Sequence, residues 1–113
     1  MISEIIKSRR AVFPAQYNNE VIKEEEIKAI LAAANWAPTH RRTEPWRFKV
    51  LQGEMKGKLA DFLADTYKEK TENPSEFKYN KYKKNPRKAA CVIAICMQRD
   101  PEGVIPEWEE IAA

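Results

Sequence analysis

Two short stretches of this 113-residue sequence carry side chains suited to holding a ligand. The first is Ser8-Arg9-Arg10-Ala11, and the second is the loop Ala37-Pro38-Thr39-His40-Arg41-Arg42-Thr43-Glu44-Pro45-Trp46. Adjacent arginines at a helix end can offer bidentate N–H donors to a phosphate. They can equally be a solvated helix end whose cations complement the dipole. In the loop, Pro38 and Pro45 bracket His40, the only histidine, and restrict the conformations the unfolded segment can visit. On its residue type and place alone, His40 reads as an exposed loop histidine. Trp36 suits an interface or core position at a helix end, and Trp46 is expected to anchor the following strand in the core.

The elements that must position these residues follow from periodicity. Ile2, Ile5 and Ile6 lie at helical spacing, which predicts a short helix ending near Arg10. Residues 11–21, with Pro14 and Asn18-Asn19, read as an extended connector. Ile27, Ile30, Leu31 and Ala34 form one stripe behind Glu24 to Glu26, where a first turn favours negative charge. This helix must stop near Trp36 or Ala37, because Pro38 disfavours helical geometry in the residue before it. The alternation of Trp46, Phe48 and Val50 with Arg47 and Lys49 predicts a half-buried strand. A second amphipathic helix opens at Gly53-Glu54 with Met55, Leu59, Phe62 and Leu63 on its apolar face. A short helix over SEFKYNKYKKNPRK is expected to close at Asn85-Pro86, followed by a buried strand in AACVIAICM, the turn DPEG and a helix after Pro106. That order implies one domain of the α+β or α/β class. Ile111 to Ala113 fall in mid-pattern with no closing signal, so the chain is expected to be incomplete after 113.

Composition narrows the function classes. With 20 Lys and Arg against 17 Asp and Glu, the net charge of +3 is too mild to indicate a nucleic-acid partner by itself. No apolar run is long enough for a transmembrane helix, and MISEIIKSRR lacks signal-peptide order, so a cytoplasmic protein is expected. Cys91 and Cys96 sit in one candidate strand, their Cα atoms roughly 16 Å apart if extended, too far for a disulfide. They read as buried thiols, and no metal site is expected. The stretch from Lys78 to Lys84 interleaves tyrosines with lysines, which admits a single-stranded nucleic-acid module as an alternative. The other reading is a solvated helix face with its aromatics turned inward.

Taken in order, Ser8-Arg9-Arg10-Ala11, the Ala37 to Trp46 loop and Val104-Ile105-Pro106-Glu107-Trp108-Glu109 resemble the N-terminal half of the nitroreductase family. The histidine after Ala-Pro-Thr is similar to the pattern of a small NAD(P)H nitroreductase subgroup. The resemblance implies an α+β fold with a central, mainly antiparallel sheet flanked by helices. It implies a homodimer with flavin mononucleotide (FMN) at the subunit interface. The implied activity carries electrons from NADH or NADPH to a nitroaromatic, a quinone or a similar acceptor by a ping-pong cycle. Arg9, Arg10 and the backbone N–H of Ala11 then bind the FMN phosphate or ribityl chain. Trp36 and His40 lie near the flavin of the opposite subunit, and Arg42 stands where many relatives place a side-chain amide. Two departures matter: Arg42 can donate but not accept, and Glu44, when ionised, accepts but cannot donate. No acid, base or nucleophile is assigned, because the flavin carries the redox chemistry. An inactive fragment of such an enzyme is a further alternative.

Overall fold

The computed structural model describes residues 1–113. It contains five helices, α1 (Ile2–Ser8), α2 (Glu24–Ala34), α3 (Glu54–Lys70), α4 (Glu76–Lys88) and α5 (Glu107–Ala112). Two strands, β1 (Trp46–Leu51) and β2 (Val92–Met97), pair antiparallel with Trp46 opposite Met97 and Leu51 opposite Val92. The class is α+β. The chain separates into two compact units, residues 1–20 with 57–90 and residues 21–56 with 91–113. Helix α3 begins in the second of these and continues in the first.

In the unit of residues 1–20 and 57–90, α3 and α4 are joined by polar and aromatic side-chain contacts. Ala60 and Ala64, one helical turn apart, are fully buried. The larger side chains expected to form the α3 face divide differently, for Leu59 and Leu63 are half-buried while Met55 and Phe62 are exposed. A Cβ at Gly57 would meet the Arg87 guanidinium at 3.4 Å. One turn further along α3, Asp61 accepts a hydrogen bond from Arg87 Nη2 at 2.9 Å. Arg87 Nη1 donates to the Lys83 carbonyl at 2.6 Å. These contacts fix the last turn of α4, which runs through Pro86 to Lys88 rather than closing at Asn85-Pro86. Proline removes a helix donor, and the guanidinium offers another within the same turn. Tyr67 and Tyr82 pack with ring centroids 5.2 Å apart, while Lys68 and Lys83 each lie 5.7 Å from the Tyr79 ring.

In the unit of residues 21–56 and 91–113, Ile27, Trp46 and Ile105 are buried. Helix α2 starts where Lys23 N–H donates to Glu26 Oε2 at 2.8 Å. Ile27 is the buried member of its apolar stripe, and Ile30 is exposed. The sheet keeps the expected alternation in β1. In β2, by contrast, Ile95 is largely exposed, and Cys96, with Cys91 just before the strand, is a half-buried free thiol rather than a fully buried one. A two-stranded ribbon has too little surface to cover both faces of a strand with six successive uncharged residues. Gly53, in left-handed geometry, makes the turn from β1 into α3.

Candidate functional site

The arginine pair lies in the unit of residues 1–20 and 57–90, at the end of α1. This helix is shorter than expected, because Arg9 already has extended ψ and its N–H closes the last bond to the Ile5 carbonyl at 3.0 Å. Arg10 folds back over the helix end. Its Nη1 donates to the carbonyls of Lys7 at 2.7 Å and Arg9 at 2.8 Å, two groups that a helix terminus leaves unsatisfied. The Arg9 guanidinium is exposed and has no hydrogen-bond acceptor in the chain, so all its donors point to solvent. Ala11 is exposed as well. The two arginines thus differ: Arg10 shapes the backbone and Arg9 offers a free, permanent cation. No residue of α1 is buried.

The loop lies in the unit of residues 21–56 and 91–113. Its C-terminal stem is held from three directions. Trp46 packs in the core while its Nε1–H donates to Asn35 Oδ1 at 2.8 Å, tying the strand start to the end of α2. Gln98 N–H donates to the Pro45 carbonyl at 2.6 Å, carrying the sheet's hydrogen bonding one step past β2. Arg47 Nη1 donates to the carbonyls of Glu44 at 2.8 Å and Trp46 at 2.7 Å. At the loop's head, a short 3-10 turn over His40–Arg42 is braced by Thr43 Oγ1 donating to the His40 carbonyl at 3.2 Å. His40 Nδ1 and Glu109 of α5 are joined by a hydrogen bond across a sequence separation of 69 residues.

The backbone of this loop is strained. Arg41 and Arg42 both have φ near +53° and Glu44 has φ +46°. Outside the loop, the only other non-glycine residues with positive φ are Asn19 and Asn73, a type that tolerates left-handed geometry well. Three side chains with a Cβ penalty within four residues store strain that their surroundings must hold, a feature concentrated at ligand clamps and active sites.

Helix α5 is anchored by a buried carboxylate. Glu110 accepts from Arg99 Nε at 2.5 Å and from the Asp100 N–H at 2.7 Å. Asp100 in turn accepts N–H bonds from Val104 at 2.9 Å and from Glu102 and Ile105, both at 3.2 Å. Burial pushes the Asp100 carboxyl up, but the N–H donors of Ile105, Glu102 and Val104, with the charge of Arg41, outweigh it and hold the group below its ordinary value.

Trp36 is 88% exposed just past α2, and Arg42 is exposed on the strained turn. Of the residues singled out in the sequence, Trp36, His40 and Arg42 therefore share one unit, and Arg9, Arg10 and Ala11 the other. Sequence reasoning missed Asn35, Arg47 and Glu109, which hold the loop in place. Only Glu109 carried a signal, as one of three glutamates on a helix whose Pro106 start was legible. The tyrosines of α4 are engaged with α3, which favours the solvated-face reading of that stretch over base stacking. No group of His, Cys, Asp and Glu is arranged to hold a metal ion, and no helix is long and apolar enough to cross a membrane.

Known proteins resemble this chain over most of its length. A solved nitroreductase-like protein from Bacillus cereus superposes with a TM-score of 0.69 at 27% identity, covering 89% of this chain and 51% of that one. A Bacillus subtilis protein named as an NAD(P)H nitroreductase, YfhC, is 29% identical over 101 residues, which are 88% of this chain and 51% of the relative. The nitrobenzene nitroreductase of Ectopseudomonas oleovorans is 30% identical over 79 residues, 69% of this chain and 34% of that enzyme. This chain spans about half the length of the first of these relatives. The family model described as the nitroreductase family matches residues 6–113, taking in both the paired arginines and the histidine loop. On that match the chain belongs to the nitroreductase family.

Proposed function

We propose that this chain is the N-terminal portion of a single nitroreductase-like domain in an FMN-dependent oxidoreductase. The observation that carries the reading is the family match over residues 6–113, which includes the arginine pair and the strained loop in their expected order. The residues fit the cofactor in kind. A flavin phosphate is a strong anion, and Arg9 presents a planar guanidinium whose donors have no acceptor in the chain. A planar isoalloxazine needs an apolar ledge and a few fixed polar groups, and Trp36 offers exposed aromatic surface beside a loop pinned at both ends. When bound, FMN would supply the redox chemistry between NADH or NADPH and a nitroaromatic, quinone or similar acceptor, the ping-pong activity that the family resemblance implies.

The protein's part is position and electrostatics. Arg9 binds the phosphate directly, while Arg10 caps α1 and so aims Ser8 to Ala11, adding its remaining donors. Trp36 and His40 serve the flavin of a second subunit in a homodimer, and Arg42 offers donors on the strained turn for the flavin's pyrimidine edge. Support for the dimer comes from the apolar surface left open at Trp36, Ile95 and Trp108. The half-buried free thiols suit a reducing, cytoplasmic setting.

Titration of the protein with FMN, followed by flavin fluorescence, tests the assignment. Saturable binding with a yellow product supports it, and a protein that neither retains nor takes up FMN removes it.

A further inference from the structure

We propose that Glu109 is a positioning residue for His40, fixing the imidazole as its Nδ1–H tautomer so that Nε2 is the atom presented to the flavin. Its functional half rests on the reading that His40 meets FMN. An ionised carboxylate only accepts hydrogen bonds, so the nitrogen facing it must carry the proton. Nδ1 is the atom that faces Glu109. In the neutral ring Nε2 then holds the lone pair, and it has no partner within the chain, although half of the His40 side chain is open to solvent. An acceptor at that point suits the ring N–H on the pyrimidine edge of an isoalloxazine.

The carboxylate is well placed to impose this order because it is itself held. Glu109 is about three-quarters buried at its side chain, against the half-exposed imidazole. The next residue, Glu110, has no exposed side-chain surface and is clamped by Arg99 Nε and the Asp100 N–H. Asp100 is fixed by three backbone donors from the turn that leads into α5. Successive glutamates of one short helix thus have different tasks. Glu110 locks α5 to the turn, and Glu109 carries that rigidity to the loop. The loop needs such an external hold, since Arg41, Arg42 and Glu44 keep left-handed geometry that their own residue types disfavour.

His40 is the only histidine, so long-range 1H–15N correlation spectra of the full chain report on this one imidazole. Recorded under alkaline conditions, such spectra distinguish the protonated from the unprotonated nitrogen of a neutral imidazole. The parent should show the proton mainly on Nδ1. Glu109→Ala should move it toward Nε2, and Glu109→Gln, which keeps an acceptor oxygen, should restore part of the Nδ1–H form. Equal tautomer populations in the parent and in a Glu109→Ala protein of unchanged near-UV circular dichroism would overturn the proposal. Should Glu109→Ala not fold, the parent spectrum decides alone, because a parent with its proton mainly on Nε2 refutes the pairing. A second arm titrates each protein with FMN: about tenfold weaker binding in Glu109→Ala supports the functional half. Equal affinity in parent and variant removes it. If the parent itself does not bind FMN, the flavin assignment fails while the tautomer measurement still decides the pairing.

Discussion

The histidine loop and the arginine pair are held in opposite ways. The loop has an unfavourable backbone and depends on distant partners: Asn35 at the C-terminal end of α2, just past its last residue, Gln98 beyond β2 and Glu109 on α5. The arginine pair has a relaxed, exposed backbone and depends only on neighbours, with every bond from Ser8, Arg9 and Arg10 reaching back no more than four residues. Long-range bonds make geometry precise and costly to disturb. Local bonds make it adaptable, which suits a flexible phosphate tail, whereas a rigid ring rewards fixed atoms. The difference also predicts where a substitution acts: on folding in the loop, and on ligand affinity at the helix end.

The largest expected effect is on stability. Trp46→Ala removes a buried indole together with the partner of Asn35 and should cost about 3–5 kcal/mol. Arg10→Ala, losing only a solvent-exposed cap, should cost less than about 1 kcal/mol. Chemical denaturation of both variants checks the contrast, and comparable losses would break it. Ligand affinity should reverse the ranking. Arg9→Ala removes charge-assisted bonds worth about 1.5–3 kcal/mol each, so FMN should bind roughly ten- to hundredfold more weakly. Arg10→Ala should weaken it less, because one of its nitrogens already serves the helix end. Turnover at saturating FMN should recover in both, since hydride transfer occurs at the ring, and Arg9→Lys should rescue only partly. Unchanged affinity in the Arg9, Arg10 double variant would remove the pair from the site.

A smaller effect tests the strain. Arg42→Asn places at φ +53° a residue type that visits left-handed geometry readily, and should raise stability by about 0.5–1 kcal/mol. A melting temperature that falls would show that the Arg42 side chain contributes more than its backbone costs.

Legibility in the sequence followed the same division. β1 could be read because its period of two survives with Trp46 inward and Arg47 and Lys49 outward. The ends of α2 were set by local chemistry, acidic residues at the start and Pro38 after the finish, and local chemistry is visible to a one-dimensional reading. Pro86 was misjudged for the converse reason. Its helix persists because Arg87 reaches Asp61 across 26 residues, and no local pattern announces such a contact. The apolar run at Cys91 to Met97 implied full burial, yet burial belongs to the surface that covers a strand and not to the strand itself. At the site, residue types pointed to the arginines and His40, because guanidinium and imidazole have few interchangeable uses. Asn35 and Glu109 stayed hidden, since an amide or a carboxylate on a helix is common and only its spatial partner gives it a role.

The last test concerns acid, where the comparison between loop and helix end should leave its faintest trace. Asp100 has its carboxyl held below the ordinary value: burial opposes ionisation, but the N–H groups of Ile105, Glu102 and Val104 and the charge of Arg41 prevail. A folded-state value below the unfolded one, about 3.9, means that the folded protein binds the proton more weakly. The stability this contributes is therefore complete above the unfolded value and is lost as pH falls through the folded one. Other carboxylates titrate in the same range, so the informative quantity is the difference between parent and Asp100→Asn. That difference in melting temperature should be largest near neutral pH and shrink toward zero in acid, because protonated aspartic acid and asparagine are then alike in charge. Arg41 belongs to the strained loop, so Arg41→Gln should reduce the acid sensitivity of the parent, and Arg9→Gln at the helix end should leave it unchanged. A pH-independent gap between parent and Asp100→Asn would mean that the asparagine loses geometry rather than charge, and the turn beneath α5 would then owe nothing to the ionised state of Asp100.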